Sequence, residues 1–366
     1  MKIADSCIIQ EKSKIKAGSG LASGRYKFFT SSNIQTKWLN DFQYCGPALI
    51  FGTGGKPSVH FCDTPFSTST DCVVLNGTSA VELAMIFHYL SDNMHILQKG
   101  FHGIGLQHIS PKFILDIELP DINLDQQKKI VRISDKLDKL ISLRTEQLLS
   151  MDELVKSRFV EMFGDMMSNP MNWSEKPLGT VADIVSGITK GRKARGQRLY
   201  EVPYMAVSNV KDGYIDWTTV KKIMATEAEI KKYRLHPLDV LMTEGGDPDK
   251  LGRGAILHSP IENCIHQNHI FRVRLNNKFI VPTFFAQYLQ LQRAKQYFLR
   301  CAKQTTGIAS INMKQLHELP VLLPSVELQN QFAAFVEQIE KSNLAIQDSL
   351  NKLEMLKKAL MQECFG

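Results

Sequence analysis

The chain has 366 residues, of which 43% are hydrophobic and 22% charged, a composition typical of folded proteins with two or three domains. Its formal net charge of +7 suits a polyanionic partner without requiring one. The cysteines are scattered and include no Cys-x-x-Cys pair, which argues against a disulfide framework and a zinc site. No apolar run approaches the ~20 residues needed for a membrane span. We therefore expect a soluble cytoplasmic protein.

Residues 1–122 have the pattern of a mixed α and β segment. β-branched and aromatic runs bounded by Gly, Asn, Asp and Pro predict strands at 48–51 and 72–75, and a helix is predicted at 80–91. Cations and short polar turn residues could contact phosphates or base edges. In this segment the candidates are Lys14, Lys16, Arg25, Lys27, Lys56, Ser32 and Asn33. The Ser-Asn pair could instead bond its own backbone.

A long helix is predicted at 124–164, and residues 326–366 repeat it at one constant offset without gaps. Each run has no proline and no glycine before its last residue. In the second run apolar residues recur every seven positions, which is the spacing of a coiled-coil seam. The predicted seam residues are Ile130, Ile133, Leu137, Leu148, Met151, Phe332, Phe335, Ile339, Ile346, Leu353 and Leu360. Leu356 is expected on the same side as this seam.

The two long helices are predicted to pair with each other within one chain. Arg144 and Arg158 fall on the seam of the first helix, so self-pairing of that helix would bury like charges. Pairing with the second helix would let the arginine stems lie over apolar neighbours.

Residues 165–324 repeat the mixed pattern, with strands predicted at 202–207, 240–243 and 270–275 and a helix at 282–301. Residues 190–198 hold five cations and no acid in a glycine-bearing loop, which suits a phosphate backbone but is also typical of a solvated surface loop. These cations are Lys190, Arg192, Lys193, Arg195 and Arg198.

Further candidate contacts follow in the same segment. Arg293, Arg300 and Lys303 have the spacing of one helix face, which could equally be an ordinary exposed face. Gln and Thr are residue types that contact bases in the major groove. The remaining candidates on turns and near the Gly245-Gly246 pair are Ser208, Asn209, Lys250, Arg253, Gln267, Asn268, Gln304 and Thr305.

Catalytic and cofactor motifs are missing from the sequence. Gly54-Gly55 and Gly245-Gly246 lack the Gly-Lys-Ser/Thr ending of a phosphate-binding loop, and their matching positions favour a structural turn. His266 and His269 have no third partner for a metal. No nucleophile elbow or zinc-hydrolase helix occurs. We therefore expect no catalytic residue, no metal and no cofactor.

The globular segments also resemble each other, so the chain is predicted to be two copies of one unit, each a globular part followed by a long helix. Residues 28–34 match 204–210, and residues 49–55 match 241–246. The first copy has no counterpart of 172–179, so either its first domain is trimmed or translation starts farther upstream.

Three stretches give the chain its resemblance to the specificity subunits of type I restriction–modification systems. They are the block Ile117-Glu118-Leu119-Pro120 with its repeat at 319–332, the helix ending Phe163-Gly164 matched by Phe365-Gly366, and the entry Asn172-Trp173. The resemblance implies an α+β fold with two mixed α/β target-recognition domains joined by two long antiparallel coiled-coil helices. The implied boundaries are 1–122 and 165–324 for these domains, and 123–164 and 325–366 for the helices.

The resemblance further implies recognition of a split sequence in double-stranded DNA, one domain per half. It also implies that partner subunits carry out catalysis: two methyltransferase (modification) subunits and an endonuclease/translocase (restriction) subunit. Helices of about forty residues span on the order of 55 Å, enough to separate two readers by one turn of duplex, about 34 Å. A coiled-coil interaction scaffold without DNA specificity is the alternative, and a self-contained nuclease is disfavoured because no acidic cluster is present.

Overall fold

The computed structural model describes residues 1–77, 79–191, 198–247, 251–305 and 308–365. The chain forms two compact units, unit 1 (Met1–Gln147 with Ile346–Gly366) and unit 2 (Leu148–Ala345). This grouping differs from the sequential division expected above, because each unit combines one globular segment with parts of both long helices. The helices pack side by side, so contacts group residues that are far apart in sequence.

The described part of unit 1 contains the following strands and α-helices ahead of its first long helix. The strands are β1 (Cys7–Ile9), β2 (Tyr26–Phe29), β3 (Lys37–Leu39), β4 (Ala48–Gly52), β5 (Ser58–Cys62), β6 (Phe66–Thr68), β7 (Cys72–Gly77), β8 (Phe101–His102) and β9 (His108–Ile109). The helices are α1 (Ala80–Asp92), α2 (Met94–Gln98) and α3 (Pro111–Leu115), followed by the first long helix, α4 (Leu124–Phe163).

The remaining strands belong to unit 2. They are β10 (Ser174–Pro177), β11 (Ala182–Ser186), β12 (Tyr200–Met205), β13 (Lys221–Ala225), β14 (Val240–Thr243), β15 (Gly245–Gly246), β16 (Gly254–Ile256), β17 (Ile265–His266), β18 (Ile270–Leu275), β19 (Lys303–Thr305), β20 (Ile308–Ser310) and β21 (Pro320–Leu323). The helices are α5 (Glu227–Tyr233), α6 (Pro282–Leu289), α7 (Gln292–Cys301), α8 (Met313–His317) and the second long helix, α9 (Val326–Phe365).

The two units share one sheet topology. Unit 1 has an antiparallel sheet in the order β1-β7-β4-β5 and a smaller sheet β3-β2-β6, in which β2 and β6 are parallel. Unit 2 has the corresponding sheets β11-β18-β14-β16 and β13-β12-β17, with β12 and β17 parallel. The predicted α+β class is confirmed, and the sequence repeat is a repeat of fold.

The central strand of each large sheet is buried on both faces. In β4, Leu49 and Phe51 pack with residues of α1, whereas Ala48 and Ile50 pack with Phe29 of the smaller sheet. Successive side chains of a strand point to opposite faces, so this strand is apolar throughout rather than alternating. The β14 strand divides in the same way between two clusters.

The helix predicted at 282–301 is two helices in the structure. Leu291 adopts an extended conformation (φ −77°, ψ 154°) between α6 and α7. The break changes the direction of the chain, and Tyr288 of α6 and Phe298 of α7 are both fully buried. Periodicity alone could not reveal this, because both segments keep a helical spacing of apolar residues.

In unit 2, α4 and α9 contact each other and run in opposite directions. The Phe159 and Phe163 rings lie 5.2 and 5.6 Å from the ring of Phe332, centroid to centroid. One turn away, the guanidinium carbon of Arg158 lies 5.8 Å from the Phe335 ring centroid. The arginine on the seam therefore lies over an aromatic neighbour, as the pairing hypothesis requires.

Unit 1 contains the opposite ends of the same two helices. Lys357 of α9 pairs with Asp138 of α4, and Phe365 packs against Tyr89 of α1 with centroids 5.0 Å apart. Every predicted seam residue is buried or half-buried: Ile130, Ile133, Leu137, Leu148, Met151, Phe332, Phe335, Ile339, Ile346, Leu353 and Leu360. The expectation for Leu356 is wrong, since this side chain is 57% exposed.

Candidate nucleic-acid interface

In unit 1, several loops meet where β4 ends. We call residues 30–33, 53–57, 69–71 and 103–107 the unit 1 loop cluster. The Asp71 carbonyl accepts hydrogen bonds from Thr53 N (2.8 Å) and from Ser31 Oγ (2.7 Å). A Cβ on Gly52 would lie 2.8 Å from Ser31 Cα, so only glycine permits this close approach. These bonds hold three loops on one polar surface.

A hairpin completes the cluster. Strands β8 and β9 form its stem, and Gly55 N donates to the Gln107 carbonyl at 3.0 Å, while Ile109 N donates to the Thr53 carbonyl at 3.1 Å. No local sequence motif predicted this hairpin. The available signal was the offset that relates the two long helices, which also places Gly105 opposite Gly307 and Leu106 opposite Ile308.

Lys14, Lys16 and Lys56 lie at or beside the unit 1 loop cluster, whereas Arg25 lies at the opposite end of β2 from residues 30–33. Lys14 and Lys16 are exposed on either side of Ile15, whose carbonyl accepts a hydrogen bond from Thr70 N at 2.9 Å. Lys56 is exposed in the turn after Gly55. Arg25 and Lys27 are also exposed, one before and one within β2, and the Arg25 guanidinium lies 5.3 Å from the Tyr26 ring centroid.

The polar turn residues of unit 1, Ser32 and Asn33, are exposed, and Ser32 forms hydrogen bonds within the unit. Ser32 Oγ accepts a hydrogen bond from Ile34 N at 3.2 Å, the local bonding that competes with a binding role. The Ser32 carbonyl lies 2.8 Å from Nε2 of His60. Burial lowers the pKa of His60, so at neutral pH its neutral ring donates this bond. Asn33 is exposed beside it.

Unit 2 has an equivalent surface, the unit 2 loop cluster, formed by residues 186–191, 206–209, 244–247, 267–269, 303–305 and 308–310. Gly245 and Gly246 of β15 pair with Ser310 and Ala309 of β20, just as Gly54 bridges to His108 in unit 1. Glu244 N donates to the His269 carbonyl at 3.0 Å, and the two side chains lie 2.7 Å apart. Gly245-Gly246 is therefore a short strand rather than the expected turn, and Gly54 forms an isolated bridge.

Several predicted residues belong to the unit 2 loop cluster. Gln267 is half-buried and its Oε1 accepts a hydrogen bond from Val207 N at 3.3 Å, and the Asn268 carbonyl accepts one from Ser186 Oγ at 2.6 Å. Ser208, Lys190 and Lys303 are exposed. Gln304 and Thr305 lie on β19, next to Lys303.

Arg253 lies beside this cluster, whereas Arg198 lies at the opposite end of β12 from residues 206–209. The Arg253 carbonyl accepts a hydrogen bond from Thr243 N at 3.2 Å, directly before Glu244. Arg198 is exposed, with its guanidinium carbon 5.2 Å from the Tyr200 ring centroid. Arg192, Lys193, Arg195 and Lys250 lie outside the described residues.

Two predicted contacts have other roles. Asn209 is fully buried; its Oδ1 accepts from Ala206 N at 2.9 Å and its Nδ2 donates to the Asp216 carbonyl at 2.9 Å. Arg293 donates to the Met166 carbonyl at 3.0 Å and forms an ion pair with Glu175. Arg300, in contrast, is exposed on the last turn of α7. The prediction of nucleic-acid contact is therefore wrong for Asn209, which stabilises a turn. The guanidinium of Arg293 bonds to other residues of unit 2.

Among the described residues, no group of three or more His, Cys, Asp or Glu side chains is placed to hold a metal ion. His266 is fully buried between the carbonyls of Tyr233 (3.1 Å) and Val185 (3.2 Å). In the same described part of the chain, no helix combines the length and apolar character needed to cross a membrane. The clusters offer hydrogen-bonding groups and positive charge.

Comparison with known proteins shows matches over most of the chain. The family described as the type I restriction modification DNA specificity domain matches residues 1–150 and 170–355. The MjaX specificity subunit of Methanocaldococcus jannaschii is 25% identical over 197 residues, 54% of this chain and 46% of that protein. The EcoKI specificity subunit of Escherichia coli is 22% identical over 80% of this chain and 67% of its own length. The chain thus spans about half of the first relative.

Solved structures share the fold. The type I restriction-modification S subunit from M. genitalium aligns over 100% of this chain and 95% of its own, with a TM-score of 0.68 and 17% identity. A chain solved in work on complex assembly and conformational transition of the type I R-M system aligns with a TM-score of 0.52 and 16% identity, over 100% of this chain and 96% of its own. At these identities the likeness concerns the fold.

Proposed function

This chain belongs to the family of type I restriction modification DNA specificity domains, and on that premise we propose that it recognises a two-part site in double-stranded DNA. The family expected from the sequence is confirmed, because the match covers well over half of the chain. Each unit reads one half of the site. Partner subunits carry out the methyltransferase and endonuclease reactions, and this chain directs those subunits to the DNA.

The main support for the proposal is that the two loop clusters share one backbone arrangement but carry different side chains. In both units a Gly-Gly pair that follows the central strand bonds to a hairpin. In unit 1 the hairpin carries His102 and Gln107, whereas the corresponding residues of unit 2 are Gln304 and Ala309. A common frame with different polar groups suits two different half-sites, because base edges are distinguished by their patterns of donors and acceptors.

Positive charge supports a phosphate backbone as the ligand. Lys14, Lys16 and Lys56 are exposed at the unit 1 loop cluster, and Lys190 and Lys303 at the unit 2 loop cluster. Phosphate contacts by such residues position a protein on the duplex, while the loops reach the bases. We propose that further residues of the two units also contact the DNA: Arg25, Lys27, Ser32, Asn33, Arg198, Ser208, Arg253, Gln267, Asn268, Arg300, Gln304 and Thr305.

The long helices supply a surface for protein partners. In unit 1, Leu140, Leu143 and Met355 are exposed, and Met355 is 72% exposed. In unit 2, Leu149 and Leu344 are exposed. Large apolar side chains exposed on these two helices favour a partner with an apolar face. We infer that two methyltransferase subunits and an endonuclease subunit assemble with this chain, in the cytoplasm.

The experiment is a comparison of adenine methylation across the genome in cells with and without this gene. The proposal expects methylation at one two-part sequence that disappears with the gene and returns with a plasmid copy. A plasmid copy carrying the substitutions Lys14→Gln, Lys16→Gln and Lys56→Gln should restore less methylation. Identical patterns with and without an expressed copy would contradict the proposal.

Binding by the purified chain separates DNA recognition from the scaffold alternative. A phosphate-binding protein loses affinity for duplex steeply as salt rises, whereas a protein scaffold has no affinity to lose. Filter binding at low and moderate salt, with a duplex that contains the methylated sequence, measures this dependence. Equal retention of that duplex and of a scrambled duplex would contradict sequence recognition.

A further inference from the structure

The hairpin of unit 1 carries an apolar tip that none of the described residues of unit 1 covers. Ile104 has a relative exposure of 108% and Leu106 of 65%. Gly103 (φ +140°) and Gly105 (φ +92°) flank Ile104 in conformations that other residues rarely adopt. A Cβ on Gly105 would meet no atom within 4 Å, so backbone conformation rather than space requires glycine there. The backbone is thus shaped to present one isoleucine outward.

The stem fixes the tip with respect to the loops around it. His102 pairs with His108 in the stem, and Gly55 N donates to the Gln107 carbonyl at 3.0 Å. His108 Nδ1 lies 3.2 Å from the Thr53 carbonyl, which anchors the returning strand a second time. The exposed Ile104 therefore stands in the unit 1 loop cluster, on the hairpin that binds the turn before Lys56.

The surroundings of the tip favour nucleic acid over a protein as its partner. A stable protein interface buries about 800 Å² on each side, far more than two side chains between glycines can supply. His102, Gln107 and His108 are exposed on the stem, so along the hairpin the apolar stretch ends within two residues of Ile104. Single apolar side chains of this kind, on a polar and cationic surface, are used by DNA-binding proteins as wedges between base pairs.

We propose that Ile104 inserts between two stacked base pairs of the half-site read by unit 1, with Leu106 against the sugar edge, and kinks the duplex there. This inference rests on the proposed function. In unit 2 the sequence has Thr306 where Ile104 stands in unit 1. The wedge is therefore a property of one half-site, and the kink lies off the centre of the two-part sequence.

The test uses the full-length chain and a duplex obtained by selection from a randomised pool. Bending is measured by energy transfer between dyes on the two ends of the selected duplex, and affinity by titration. Ile104→Ser should weaken binding roughly ten- to hundred-fold, the factor expected from losing the burial of one such side chain, and should straighten the duplex. Ile104→Leu should keep both the affinity and the bend.

Ile8→Ser is the matched control, since Ile8 is 71% exposed on β1, opposite Asn76 and away from the Gly52 end of the large sheet. Unchanged affinity and bend in the Ile104→Ser protein would overturn the wedge. Loss of methyltransferase co-purification by the same protein, with its DNA binding intact, would also overturn it. Failure of the wild-type chain to enrich any sequence would remove the proposed function and the wedge together. Enrichment with no bend would remove the wedge alone.

Discussion

The ammonium group of Lys357 on α9 lies 2.6 Å from Oδ1 of Asp138 on α4. The same group lies 3.5 Å from Oδ1 of Asp92, the last residue of α1. Burial by itself lowers the pKa of Lys357, but the hydrogen bonds and charges of Asp138 and Asp92 outweigh burial and leave it raised. One charged side chain thus joins both long helices and the globular part of unit 1.

Removing this charge should destabilise unit 1. Lys357→Met leaves two carboxylates without their cation, and we expect the free energy of unfolding to fall by about 2 kcal/mol. Urea denaturation followed by circular dichroism measures the change. Lys352→Met on the same helix is the control, because Lys352 and Asp348 form an exposed pair worth less than about 0.5 kcal/mol. Equal effects of the two substitutions would contradict this assignment.

Acid should destabilise unit 2 through His266. Burial lowers the pKa of His266 from 6.5 to about 4. Between these values the unfolded chain binds a proton that the folded chain does not, so stability is lost as pH falls from 6.5 toward 4, by about 3 kcal/mol in total. His266→Gln should flatten that part of the pH profile of unfolding, relative to wild type.

The control for this profile is His258→Gln, which replaces an exposed histidine of the same unit. Carboxylates that titrate in this range affect all three proteins alike, so the difference between profiles isolates His266. A His266→Gln profile that is parallel to the wild-type profile would show that His266 contributes no pH dependence.

Asn209 should matter for folding and Asn33 for binding, although the two are matched in the repeat. Asn209→Ala leaves the Asp216 carbonyl and the Ala206 amide without their partner, and we expect a loss of about 2 kcal/mol in the free energy of unfolding. Asn33 is exposed, so Asn33→Ala should change stability by less than about 0.5 kcal/mol. Thermal unfolding of the two variants measures the loss of stability in each. A smaller loss in Asn209→Ala than in Asn33→Ala would contradict the folding role of Asn209.

Phosphate contacts in unit 1 should appear in the salt dependence of binding. The triple variant Lys14→Gln, Lys16→Gln, Lys56→Gln should bind duplex more weakly and lower the log–log salt slope by about 0.9 per lost contact. A variant with Gln at 128, 136 and 139 removes the same charge from exposed lysines of α4 and should keep the wild-type slope. Equal slopes in the two variants would argue against the unit 1 loop cluster as a phosphate surface.

Much of the fold follows from local patterns. The two forty-residue helices lack internal proline and glycine and keep a seven-residue apolar spacing, and they form at α4 and α9. The strands β4 and β14 were also predictable, because a strand buried on both faces is apolar throughout, whereas β18 carries Arg272 and Arg274 and was predictable only from its β-branched and aromatic residues. The candidate site was predictable only in part: Lys14, Lys16, Lys56 and Lys303 are exposed at the loop clusters, but Arg293 is held by Glu175.

The amino-acid sequence determined the secondary structure, the duplication and the family, since these depend on residue type and spacing along the chain. Tertiary structure alone decided which side chains remain accessible: Asn209 is buried and Ile104 is exposed, and neither outcome follows from residue type or spacing. It also decided that α6 and α7 are separate helices and that each compact unit includes parts of both long helices. Side-chain packing between distant segments, which no local periodicity records, is the physical reason for the difference.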